Sequence, residues 1–166
     1  GYLGLGEVFL LREDYPQSRQ ALLESTALYR QVPQEDELSL TLANLADVEC
    51  RLGLSDQARS HLEESLQIAA ETGSWQACLS AVGKTALFMA LQGEVELGIE
   101  VYALATSYPY LGNSIYWEDS VGKPMAELAE GIPEAARIAA IERGKNRDLH
   151  ETVRELCAWI RSSPLI

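Results

Sequence analysis

Histidine, cysteine and paired carboxylates are the side chains that most often hold metals or move protons, and this chain scatters them. Its two histidines, His61 and His150, have no Cys or carboxylate beside them at a repeating metal-ligand spacing. Glu63-Glu64 and Glu118-Asp119 are adjacent carboxylates, but neighbours on a helix point in different directions and do not form an acid/base pair. Gly1, Gly4 and Gly6 lack the preceding strand of a phosphate loop, and Gly122-Lys123-Pro124 lacks its upstream glycine and its Ser/Thr. No serine sits in a nucleophile elbow. The expectation is therefore a protein that is not an enzyme, with no catalytic residues, no metal and no cofactor. Cys50, Cys78 and Cys157 are too few, and odd in number, for a disulfide framework. They read as small core residues in a reducing, cytoplasmic setting.

Charge narrows the partners. The net charge is −12 over 166 residues. Residues 1–130 carry 7 Lys/Arg against 20 Asp/Glu, a balance of −13, and residues 131–166 carry 6 against 5, a balance of +1. An acidic surface repels phosphate backbones and anionic lipid, so neither nucleic acid nor membrane is an expected partner. A solvated acidic face is the simple reading of this charge, and a basic peptide partner the sharper one. No apolar run approaches the roughly 18 residues of a membrane span, and no signal pattern opens the chain. The first residues already read as the middle of a hairpin helix, as in a piece cut from a longer protein.

The elements follow from apolar residues at helical spacing. Helices are expected at about 1–12, 16–30, 35–52, 55–72, 74–91 and 94–108, and no segment alternates like a strand. Pro16 suits a first helical turn, and Gly53 and Gly93 stand where a helix end needs a left-handed residue. A loop is expected at 107–113, then a short aromatic segment, Ile115-Tyr116-Trp117, and a helix to about Glu130. Pro133 opens another helix that Gly144 ends. Asp148 caps a last one with Leu149, Val153, Leu156, Cys157 and Ile160 on one stripe, and Ser162 to Ile166 is expected to fray.

One offset runs through the first 108 residues. Gly6, Ala46 and Ala86 are 40 apart, as are Ser18, Ala58 and Gly98, and Ser25, Ser65 and Ala105. Leu22, Leu62 and Tyr102 form a fourth, bulky series. Small residues at fixed places let paired helices approach closely, and a bulky one fills the gap to the next pair. The pattern resembles the tetratricopeptide repeat, in which small residues recur at three positions of each helical pair. Tyr2, Leu5, Phe9 and Leu22 match its large positions, and Glu13-Asp14-Tyr15 matches its turn with Glu13 in place of Gly. Two departures stand out: the period is 40 rather than 34, and Glu49 occupies a large apolar position, which should weaken the second unit.

The resemblance implies an all-α superhelix of about three hairpins over residues 1–108, with capping helices over 109–166. The longer period is similar to that of bacterial signal-transducing ATPases and transcriptional regulators of the STAND class. Trp117-Glu118-Asp119, Gly122-Lys123-Pro124, Glu142-Arg143-Gly144 and Asp148 with Val153 and Leu156 resemble their C-terminal ends. That likeness implies a sensor that binds a protein or peptide partner while an upstream module handles ATP; the alternative is a stand-alone adaptor that binds a peptide in its groove. Carried over from the family, the concave positions fall on Glu7, Asn44, Asp47, Arg51, Lys84 and Leu87. Asn44, Asp47 and Arg51 share one helix face, where Asp47 and Arg51 are expected to form a surface ion pair. Asn44, Arg51 and Lys84 are the types used to clamp a C-terminal carboxylate, but Glu7 and Asp47 oppose an anion. If the first hairpin is uncovered, Tyr2, Leu5 and Phe9 become a self-association surface.

Overall fold

The computed structural model describes residues 1–164 and is helical throughout, with no strand among them. Three hairpins come first: α1 (Tyr2–Leu11) with α2 (Tyr15–Tyr29), α3 (Glu35–Arg51) with α4 (Ser55–Thr72), and α5 (Trp75–Leu91) with α6 (Val95–Thr106). Each second helix also packs on the next first helix, α2 on α3 and α4 on α5, and that arrangement makes a tetratricopeptide-like solenoid.

The 40-residue series marks where helices cross. A Cβ on Gly6 would stand 2.6 Å from Leu22 Cγ, and the Ser18 hydroxyl donates to the Gly6 carbonyl at 2.7 Å. Two units later a Cβ on Gly98 would lie 2.8 Å from the Ala86 carbonyl oxygen. Ala46 and Ala58, the middle pair, are fully buried. Small side chains fit there because the neighbouring helix lies close, with the Leu22 side chain against Gly6 and the Ala86 backbone against Gly98. The turns repeat as well: Gly53 and Gly93 have φ of 74° and 90°, and Glu13 takes the same left-handed conformation at 60°. Local caps complete the first and third hairpins, with Asp14 accepting from the Gln17 amide and Ser74 from the Ala77 amide.

Beyond α6 the chain makes short turns before returning to long helices. These are α7 (Pro109–Gly112), α8 (Ile115–Trp117), a π-helical turn (Glu118–Gly122) and α9 (Lys123–Ala129). α10 (Glu134–Lys145) then packs on α6, and α11 (Leu149–Ser162) lies across α4 and α5. Gly144 was expected to stop α10, but the helix continues through it, because Gly144 is where α10 touches α6. A Cβ there would stand 2.0 Å from the Glu100 carbonyl oxygen. Arg143 and Arg147 hold the Glu100 carboxylate on either side of that contact, at 2.6 and 2.5 Å. α11 buries Leu149, Val153, Leu156 and Ile160, and Arg59 of α4 donates to the Ile160 carbonyl at 2.7 Å. Ser162 belongs to α11; the fraying expected at the very end falls partly on Leu165 and Ile166, outside the described residues.

Glu13 is the one non-glycine residue with positive φ among the described residues. Glu13→Gly, restoring what the next two units have, should raise stability by about 0.5–1 kcal/mol. A urea midpoint that rises at unchanged slope is the check. Gly98→Ala should cost about 1–3 kcal/mol by the same measurement, because backbone rather than a movable side chain blocks the new methyl.

Candidate functional site

The first helices α1, α3 and α5 line one face, and five of the six groove residues meet there. Asn44 donates to the Glu7 carboxylate at 3.2 Å. Asp47 accepts from Arg51 Nε at 2.8 Å through one oxygen and from Lys84 Nζ at 2.7 Å through the other. Leu87, the sixth, is buried in the apolar core. The expected pair of Asp47 with Arg51 forms, but its placement on the surface is corrected here: the Asp47 side chain is 1% exposed and that of Arg51 22%, and the second partner of the carboxylate, Lys84, is 0% exposed.

What covers them is the chain's own segment 115–122. Tyr116 donates its hydroxyl to Asn44 at 3.0 Å. The Tyr116 and Trp117 rings lie 5.1 and 5.0 Å from Lys84 Nζ, within cation–π range. The Ser120 hydroxyl is 3.3 Å from the same ammonium, and the Ser120 carbonyl accepts from Arg51 at 2.8 Å. Gly83 makes room for this, since a Cβ there would be 2.8 Å from Trp117. The ammonium of Lys84 is therefore boxed by one carboxylate, one hydroxyl and two rings. Tyr116, Trp117 and Ser120 were not among the groove residues expected from sequence. The aromatic pair after a loop was their visible signal, but nothing local said which face it would reach.

Burial governs the protonation of this cluster. It pulls Lys84 below the ordinary lysine range, against the upward pull of Asp47. It pushes Glu7 above the usual carboxylate range, with Lys84 and Asn44 pulling it back. Tyr116 is held well above a free phenol by burial, then by the charges of Glu7 and Asp47. Burial lifts Cys50 to about 12, helped by Asp47 and Glu49. Such a thiol is a poor nucleophile.

Glu49, expected to weaken the second unit, is fully buried and stitches three helices instead. Arg19 of α2 donates to it at 3.1 Å and His61 of α4 lies 2.7 Å from its other oxygen. His150 sits 3.0 Å from the Gly73 carbonyl. Among the described residues no group of three or more His, Cys, Asp or Glu could hold a metal ion. A polar cavity of about 330 Å³ remains beside the covered cluster, lined by Glu13, Tyr15, Arg51, Asp119 and Lys123 among others. An apolar one of about 370 Å³ lies between α6, α9 and α10, lined chiefly by Ile99, Tyr102, Met125 and Ile141. No helix among the described residues is long and apolar enough to cross a membrane.

Residues 1–72, which span α1 to α4, match the family model described as tetratricopeptide repeat. No curated protein and no solved structure matches the chain. Tetratricopeptide repeats are typically non-enzymatic modules for protein–protein interaction, and this segment is similar to them in sequence and in hairpin geometry.

Asp47 bridges two cations in the covered cluster, so its loss and that of Lys84 should differ. Asp47→Ala leaves a buried ammonium without a counter-charge and should cost about 3–5 kcal/mol. Lys84→Met keeps the stem volume and leaves Asp47 paired with Arg51, so it should cost about 1–2 kcal/mol. Equal losses in urea unfolding would contradict this division of labour.

Alkali should also destabilise the fold. Cys50, Cys78 and Tyr102 have ordinary values of 9.0, 9.0 and 10.0 and are raised by burial to about 12, 11 and 12. Groups raised on folding contribute stability that is complete below their unfolded values and lost as pH climbs towards the folded ones. Lys84, lowered on folding, works in the opposite sense but is a single group. The melting temperature should fall from pH 9 to about 11, and Cys50→Ala should make that fall shallower.

Proposed function

We propose that this chain is the partner-sensing repeat module of a larger signal-transducing protein of the STAND class. In that reading another part of the polypeptide handles ATP, and a protein partner shifts the whole molecule by binding one of its states better than the other. The observation that carries the interaction half of this proposal is the match of residues 1–72 to the tetratricopeptide repeat, together with three stacked hairpins whose first helices line one face. The repeat period and the tail motifs support the signalling half.

The adaptor alternative places a peptide on the face of α1, α3 and α5. Segment 115–122 already occupies that face and takes up Asn44, Arg51 and Lys84, so a peptide would have to displace it. Nucleotide hydrolysis by the complete natural polypeptide tests the signalling reading. Deleting residues 1–166 should raise basal turnover at least about threefold, by releasing restraint on the nucleotide-binding part. A polypeptide without nucleotide turnover in either form would leave the adaptor reading in its place.

A further inference from the structure

We propose that a cleft between the starts of α3 and α5 holds an arginine side chain from a basic peptide segment of a partner protein. The proposal rests on the interaction reading of the repeat face and names the chemistry recognised there. Residues four apart share one side of a helix, so Asp36 and Leu40 continue the line of Asn44 on α3, and Gln76 and Ser80 that of Lys84 on α5. The hydrogen bonds of segment 115–122 to this face reach Asn44, Arg51 and Lys84. Towards the helix starts the face opens into a cleft of about 90 Å³, lined by Asp36, Glu37, Leu40, Gln76, Ser80 and Tyr110. A single side chain can enter it without displacing the aromatic segment.

Ser80 is the residue that points to a ligand. It lines the cleft at 1% exposure, and its hydroxyl has no hydrogen-bond partner among the described residues. A buried polar group left bare costs about 1–3 kcal/mol, a cost that a hydrogen-bonding group entering the cleft would remove. Leu40, its counterpart 40 residues earlier, is apolar, so the repeat pattern itself does not call for a hydroxyl at this place.

The rest of the lining says what that group is. The Glu37 carboxylate has no hydrogen bond or ion pair among the described residues, and Asp36 accepts from the Ser74 hydroxyl at 2.8 Å through one oxygen, leaving the other open. A wider groove of about 460 Å³ shares these two carboxylates and adds Glu35. Neither lining contains a lysine, an arginine or a histidine. Tyr110, 43% exposed, is braced at right angles by Trp75, with ring centroids 5.2 Å apart. Two carboxylates, a bare hydroxyl and a braced aromatic ring are the complement of a guanidinium, which is planar, charged and rich in N–H donors. An anionic group would meet Glu35, Asp36 and Glu37, and an apolar one would leave the Ser80 hydroxyl bare.

Titration of the chain with a fluorescein-labelled peptide of alternating glycine and arginine, followed by anisotropy, tests this. The control is the same peptide with citrulline, which keeps the shape of arginine without its charge. The arginine peptide should bind at least about tenfold more tightly than the citrulline peptide. Glu37→Gln should weaken that binding about threefold and Tyr110→Leu about two- to fivefold, with helicity by circular dichroism unchanged. Ser80→Ala should weaken it by a similar factor while raising the melting temperature of the free chain, because it removes a bare hydroxyl. Asp56→Asn deletes the same charge at the start of α4, at the other end of the hairpin, and should leave the affinity within about 1.5-fold. No binding of the arginine peptide up to about 1 mM, equal binding of the citrulline peptide, or equal losses in Asp56→Asn and Glu37→Gln would each overturn the proposal. Such a failure beside the expected rise in nucleotide turnover on deletion of residues 1–166 would remove the cleft and leave the sensing role in place.

Discussion

The buried ammonium of Lys84 is the constraint around which this structure is arranged. A lysine with no exposed side-chain surface must find its counter-charge and its hydrogen-bond acceptors inside the protein. Asp47, one helix away on α3, supplies the charge, and Arg51 on the next turn shares the same carboxylate. The remaining directions are closed by Ser120 and by the faces of Tyr116 and Trp117. Two repeats and the segment after them are thereby tied to one atom. The aromatic segment takes its place because the cation below it needs a cover that is both dry and electron-rich.

The same logic explains why a helical array ends as it does. Repeats transmit their geometry only to neighbours, so the last one needs a different element to finish it. Here the finish comes in two parts. Helices α10 and α11 cover α6, α4 and α5 through a glycine contact, apolar residues and arginine pairs such as Arg161 with Glu63 at 2.7 Å. Segment 115–122 folds back over the face of the first helices, while α7 and α9 also pack on α6.

Buried polar groups also distinguish this array from a purely apolar stack. Glu49 stands at a position where the tetratricopeptide pattern it resembles has a large apolar side chain, yet Arg19 and His61 satisfy both its oxygens from adjoining helices. Ser39 and Ser65 exchange hydrogen bonds between α3 and α4, each hydroxyl reaching the other residue's carbonyl at 3.0 and 2.8 Å. Such pairs hold only in one register, since a slip of one residue leaves a buried acceptor bare. They add specificity to a pattern of small residues that would tolerate sliding.

The helices, their turns and their crossing points were legible in the chain because they depend on local chemistry. Spacing of apolar residues sets a helix, a left-handed glycine ends it, and a small residue marks where two backbones meet, so Gly6, Ala46, Ala86 and their partners could be located by offset alone. The groove residues were legible as positions, through resemblance, but not as a state. Whether Asn44, Asp47, Arg51 and Lys84 face water or lie beneath Tyr116 and Trp117 depends on contacts between residues as far apart in the chain as 44 and 116, and no local signal encodes which face a flexible return will choose. Gly144 makes the same point in reverse: read locally it ends a helix, and only the approach of α6 gives it another task. Sequence by itself determined a stack of hairpins, because short-range sterics and periodicity suffice for that. Tertiary structure decided which faces are covered and which remain open, because burial is a property of elements that meet across the chain.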